Sequence, residues 1–200
     1  MIRKLTAIVL ASALGLAPGP SSAQSVQSQP GMKPGNAEIR ALLASDDIDH
    51  ADDSKIDFAK IAHADQTRRT RVRDLLIKGE LRNGGDFRAA AFIFTHGSST
   101  DDYLLAHALA LTAVSLGDHK ALWIANASLD RYLMTIGQKQ IFGTQFAQQD
   151  GPDLPFTQEP YNRDLVPDAL RKKVGIKPLS SQALFLENLE IQRATSKSGK

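Results

Sequence analysis

Two kinds of side chain in this sequence are equipped for chemistry: five imidazoles and a dense run of carboxamides. The imidazoles are His50, His63, His96, His107 and His119. A general base needs a second group to orient it, and Asp130 is the carboxylate whose placement suits His107 or His96. His96, His107 and Asp130 are therefore the candidate catalytic residues. Each also has a structural reading. His96 precedes a helix-ending glycine, where the helix dipole favours an imidazolium and its N–H can cap free carbonyls. His107 sits on the flank of an apolar stripe, as a core histidine does. A buried Asp130 would need a partner whatever its role.

The carboxamides lie in 138–145, Gln-Lys-Gln-Ile-Phe-Gly-Thr-Gln. Gln140 and Gln145 bracket an apolar pair and a glycine. A neutral amide offers two donors and an acceptor, so such a loop either reads a polar ligand or ties itself to its own backbone. Arg131, Gln140, Thr144 and Gln145 are accordingly the candidate ligand-binding residues. The ligand class stays open among a small polar molecule, a peptide and a protein.

Other chemistries find no footing. The chain has no cysteine, which removes disulfides, thiolate zinc sites, a thiol nucleophile and a lipidated cysteine. No histidine pair has His-x-x-x-His spacing and none has an adjacent glutamate, so neither a metal nor a cofactor is expected. Asp46, Asp47, Asp49, Asp52 and Asp53 crowd around His50, but a calcium loop's turn glycine and closing glutamate are missing. That stretch reads as a solvated acidic linker. There is no Gly-x-Ser-x-Gly elbow and no phosphate-cradling glycine loop, and Gly84-Gly85 reads as a turn.

The elements that must position these residues are helical. Leu122, Ala125, Leu129, Leu133 and Ile136 recur at spacings of three and four and fall on one helix face, with Gly137 as the stop. A long helix is expected over 57–78, with an apolar stripe and four arginines at Arg68, Arg69, Arg71 and Arg73, most of them solvated. Asp86 is a plausible cap for a short apolar helix ending at Thr95. Ser99 with Asp102 three residues on starts a helix over 101–116. Short connections make these helices antiparallel neighbours, and recurrent alanines permit close approach. The run from Ala113 to Ala121 resembles the turn of a tetratricopeptide-type hairpin, but no second copy appears at the required period. A short helix over 37–44, a proline-containing extended segment after Gln145, and a last helix from Ser180 complete the reading. Alternating strand patterns are scarce. The expected fold is all-α, a compact antiparallel bundle of stacked helical hairpins with an extended segment and a C-terminal helix.

Asp130-Arg131, Gly137, Gln140 and Phe142-Gly143-Thr144-Gln145 resemble the pattern D-R…G-x-x-Q-x-[YF]-G-T-Q of a bacterial domain family of unknown function. Ala90, Ala91, Ile93 and His96-Gly97 resemble that family's helix ending in His-Gly. The resemblance spans roughly 65–145 and departs at Thr95, where the family pattern has a glutamine. It implies a family and no activity.

Residues 1–23 read as a secretory signal: Arg3 and Lys4, an apolar stretch from Leu5 to Ala17 too short to span a bilayer, then small residues ahead of a cut between Ala23 and Gln24. The expected location is periplasmic or secreted, with no membrane span after cleavage. Loss of Arg3 and Lys4 takes the formal charge from +2 to zero, which removes the electrostatic basis for a nucleic-acid partner. The expected organisation is a flexible, acidic lead over 24–56, a helical domain over 57–194 and a polar tail over 195–200. The functional expectation is an exported helical binding domain with a polar groove beside the 140–145 loop. The alternative is a small hydrolase-like enzyme using a His/Asp pair. A third reading makes the whole motif scaffold.

Overall fold

The computed structural model describes residues 34–50, 58–148 and 154–198, together with the backbone of Ile8–Val9. The expected signal and its cleavage site otherwise lie outside the described residues. No helix among the described residues is long and apolar enough to cross a membrane.

Seven helices dominate the described residues: α1 (Ala37–Asp49), α2 (Phe58–Ile77), α3 (Gly84–Thr95), α4 (Thr100–Ser115), α5 (Leu122–Thr135), α6 (Asp168–Lys173) and α7 (Leu179–Ser198). A 3-10 turn, His119–Ala121, leads into α5. The fold is all-α, as the periodicity predicts. Three two- or three-residue strands, β1 (Ile8–Val9), β2 (Phe146–Gln148) and β3 (Phe156–Thr157), pair antiparallel in that order.

The most extensive packing joins α3 to α4 and α4 to α5, consecutive arms of two stacked hairpins. Ala89, Ala90, Ala91, Ala106, Ala110, Ala113, Ala121 and Ala125 are buried along these contacts, where small side chains let the backbones approach. Ile93, Phe94, Leu109, Ile124, Val72, Leu75 and Ile39 fill the space between them. Burial of large apolar groups at roughly 1.5–3 kcal/mol each is the main term holding the stack together.

Helix ends follow their local chemistry. Ser99 Oγ accepts from Asp102 N at 3.1 Å and starts α4 as its spacing predicts. Gly117 and Gly137, at φ +89° and +76°, close α4 and α5. Three expectations need correction. Asn83, not Asp86, caps α3, and Asp86 instead accepts from the backbone N–H groups of Asn36 and Arg82. Helix α1 runs on to Asp49 instead of stopping at residue 44, so Asp46 is a fully buried helical residue and not part of a solvated linker. Arg68 and Arg69 are also buried, because carboxylates and a carbonyl meet them inside the bundle.

Candidate functional site

The 140–145 loop folds back onto the helix ends, and its polar groups face inward. Asp130 Oδ1 accepts from the backbone N–H of Ile141 (2.8 Å) and Phe142 (3.0 Å). Its Oδ2 accepts from Thr144 N (3.0 Å) and Thr144 Oγ1 (2.8 Å). Gln140 Nε2 donates to the Gln145 carbonyl while Gln140 Oε1 accepts from Gln145 N, both at 3.0 Å. From the outer side, Arg171 and Gln182 donate to the Phe142 carbonyl, and Gln158 donates to that of Gly143. A buried loop requires such complete pairing, since an orphaned buried amide costs about 1–3 kcal/mol.

Arg131 is buried beside this loop. Its Nε donates to Gln145 Oε1 at 2.9 Å and its Nη1 to the Thr95 carbonyl at 2.5 Å. Burial lowers its pKa against the opposing influence of Tyr103. Burial likewise pushes the Asp130 carboxyl above its ordinary value, with the four donors pulling the other way. Arg131, Gln140, Thr144 and Gln145 thus hold one another and the backbone, and none of them lines the cleft described below. His107 Nδ1 contacts the Ala125 carbonyl at 2.8 Å, joining α4 to α5. No hydrogen bond among the described residues connects His107, His96 and Asp130, whose partners are all different.

Of the candidates, His96 lines a cleft. It sits at the C-cap of α3, and with Asp65, Gln66, Arg69, Arg73, Ser98, Ser99 and Asp102 it lines a space of about 490 Å³ between α2 and the α3–α4 connection. Arg69 Nη1 donates to the His96 carbonyl at 3.0 Å, and Arg69 Nε lies 3.6 Å from Asp102 Oδ2. Arg73 Nη2 donates to Asp102 Oδ1 at 2.7 Å, and its guanidinium stands over the Phe94 ring. Two guanidiniums and the carboxylates of Asp65 and Asp102 therefore share the lining, and the N–H groups of Arg69 and Arg73 outnumber the bonds they make to Asp102 and the His96 carbonyl.

Behind His96 lies a second group of ionisable side chains. Asp46 Oδ2 is 2.9 Å from His96 Nδ1. His50 Nε2 is 3.6 Å from Asp65 Oδ2, and the two imidazoles stack at 4.0 Å between centroids. Arg68 reaches Asp46 Oδ1 (3.1 Å), Asp49 Oδ2 (2.6 Å) and Asp65 Oδ1 (2.6 Å). Sequence reasoning passed over this cluster. Asp46-x-x-x-His50 puts both side chains on one face of a helix, a spacing legible in the sequence, whereas Asp65 and His96 join only through the packing of α2 and α3 against α1.

Comparison with protein-family models, with curated proteins and with solved structures returned no match for this chain.

Proposed function

We propose that this is an exported helical binding domain whose cleft between α2 and the α3–α4 connection takes a small anionic ligand. The observation that carries the reading is the convergence of Arg69 and Arg73 from one side of α2 on a cavity that also presents Gln66, Ser98 and Ser99. Successive arginines at i and i+4 share a helix face, and their planar forks suit carboxylate or phosphate oxygens. Export rests on the leader read in residues 1–23, and membership of the bacterial family with the D-R…G-T-Q signature belongs to the same proposal. The glutamine loop serves as scaffold in this reading.

Thermal-shift and calorimetric titration with inorganic phosphate, pyrophosphate and citrate at fixed ionic strength test it. The unaltered protein should be stabilised by at least one of these, Arg73→Ala should lose the shift, and Gln145→Ala should keep it from a lower starting Tm. Absence of any shift, or a shift indifferent to Arg73→Ala, removes the reading.

A hydrolase-like reading is favoured by one observation, the 2.9 Å approach of Asp46 to His96 at the base of the cleft. In it His96 is the base and Asp46 the group that orients it, replacing the expected pairing of His107 with Asp130. Turnover of a phosphate monoester or amide, lost in His96→Gln and kept in His107→Ala, would support this reading over simple binding.

A further inference from the structure

We propose that Asp46, His50, Asp65 and His96 form a binding site for a single divalent transition-metal ion of the zinc, manganese or cobalt type, where α1, α2 and α3 meet. One ligand atom from each of the four lies within 4.8 Å of the other three. Two of the pairwise approaches have the length a common ion needs, and the imidazoles, stacked at 4.0 Å and 21° from parallel, must turn apart for their in-plane lone pairs to meet it. Ligands about 2.1 Å from one metal lie about 3–3.4 Å apart when adjacent. Asp46 Oδ2 and His96 Nδ1 are 2.9 Å apart, and His50 Nε2 and Asp65 Oδ2 are 3.6 Å apart.

The hydrogen bonding around the cluster assigns each atom a role. Arg68 takes Oδ1 of both Asp46 and Asp65, which leaves Oδ2 of each turned toward the imidazoles. His50 Nδ1 lies 3.0 Å from the Asp46 carbonyl, so a proton on Nδ1 donates there and Nε2 keeps its lone pair for a metal. Metal-bound histidines and carboxylates are held by such outer partners.

Two further observations point to a cation here. The Asp46 carboxylate is fully buried and the His96 side chain is 5% exposed; Asp46 Oδ1 has the Arg68 ion pair, whereas Asp46 Oδ2 and His96 Nδ1 face each other at 2.9 Å without hydrogen-bond geometry to any partner. A buried carboxylate left so is costly unless a positive charge meets it. The charge is also unbalanced. Among the described residues, Asp46, Asp49 and Asp65 share one guanidinium, that of Arg68, so with neutral imidazoles two negative charges remain unmatched there. A divalent ion brings the cluster to neutrality. Two imidazole nitrogens with two carboxylate oxygens, and no thiolate, suit zinc, cobalt or manganese better than the all-oxygen preference of calcium and magnesium.

The inference stands apart from the anion reading, because metal uptake is read with no anionic ligand present and either can fail alone. The experiment titrates chelator-treated full-length protein with Co2+ and Zn2+, following Co2+ visible absorption, calorimetric stoichiometry and paramagnetically shifted imidazole N–H proton signals. One equivalent should bind, with two shifted imidazole signals. His50→Gln and Asp46→Asn should each weaken binding roughly 100-fold or more, while His107→Ala and Asp47→Asn leave it unchanged. Should either ligand variant fail to fold, the shifted signals of the unaltered chain decide the matter. Their absence, no Co2+ band, or affinity indifferent to the two ligand variants would overturn the site and leave imidazolium as the cluster's counter-charge.

Discussion

Arg69 and Arg131 hold consecutive carbonyls at the end of α3. Arg131 donates to the Thr95 carbonyl from the side of the glutamine loop, and Arg69 donates to the His96 carbonyl from the side of the cleft. The last carbonyls of a helix have no partner within it and carry the negative end of its dipole, so two guanidiniums stabilise the terminus and fix the backbone that bears His96.

Arg131→Lys should therefore cost stability despite preserving charge. A lysine cannot reproduce the fork that serves Gln145 and Thr95 together, and burial already works against the cation. A loss of about 2–3 kcal/mol in urea unfolding is expected, from two buried hydrogen bonds to a charged group. A change under 0.5 kcal/mol, within the usual range for surface sites, would show that this arginine is replaceable.

Asp130→Ala strands three backbone N–H groups, those of Ile141, Phe142 and Thr144, together with the Thr144 hydroxyl. The expected loss is about 3–5 kcal/mol, in the range for breaking a buried charged network. Hydrogen exchange of the 141–144 amides should rise together with it. Slow exchange retained at those amides would contradict the assignment.

Gly143 and Gly137 separate two costs of a side chain. Both have positive φ, so alanine at either meets about 1–2 kcal/mol of backbone strain. A Cβ at Gly137 meets nothing nearby, whereas at Gly143 it collides with Gln182 Oε1 and the Tyr161 hydroxyl. Gly143→Ala should lower Tm substantially more than Gly137→Ala, and equal shifts would mean that the α7 contact yields freely.

Acid stability should carry a signature of Asp102. Burial opposes its charge, but the hydrogen bond from Arg73, the Ser99 hydroxyl and the guanidinium charges of Arg69 and Arg73 outweigh it. Its carboxyl therefore sits below the ordinary value of 3.8. The unfolded chain then binds the proton more tightly, so the contribution is complete above that value and is lost as pH falls through the folded one. The Tm difference between the unaltered protein and Asp102→Asn should be widest above about pH 4 and narrow below it. A difference constant across that range would separate Asp102 from acid unfolding.

Helix positions were legible wherever a cap or a periodic stripe marked them, as at Ser99, Gly117 and Gly137. The end of α1 was not, because its aspartates look like a polar linker until Arg68 arrives from α2 and makes burial of Asp46 tolerable. The same cause hid the His–Asp cluster: its members come from three helices, and no local pattern joins Asp46 to His96. The amides of 138–145 left two readings open because pairing with the backbone and pairing with a ligand need the same groups. Only the fold supplies Gln158, Arg171 and Gln182, which complete the internal pairing.

The closed circuit between Asp130 and the Thr144 turn has a bearing on how chains of this kind should be compared. Residues whose polar groups are satisfied within the fold set the shape of a corner and exert no demand on what passes outside it. Two proteins sharing that corner can present unlike side chains along α1 and α2 and act on unlike molecules. Similarity there reports common architecture, while differences at positions 46, 50, 65, 69 and 73 would report divergence of purpose.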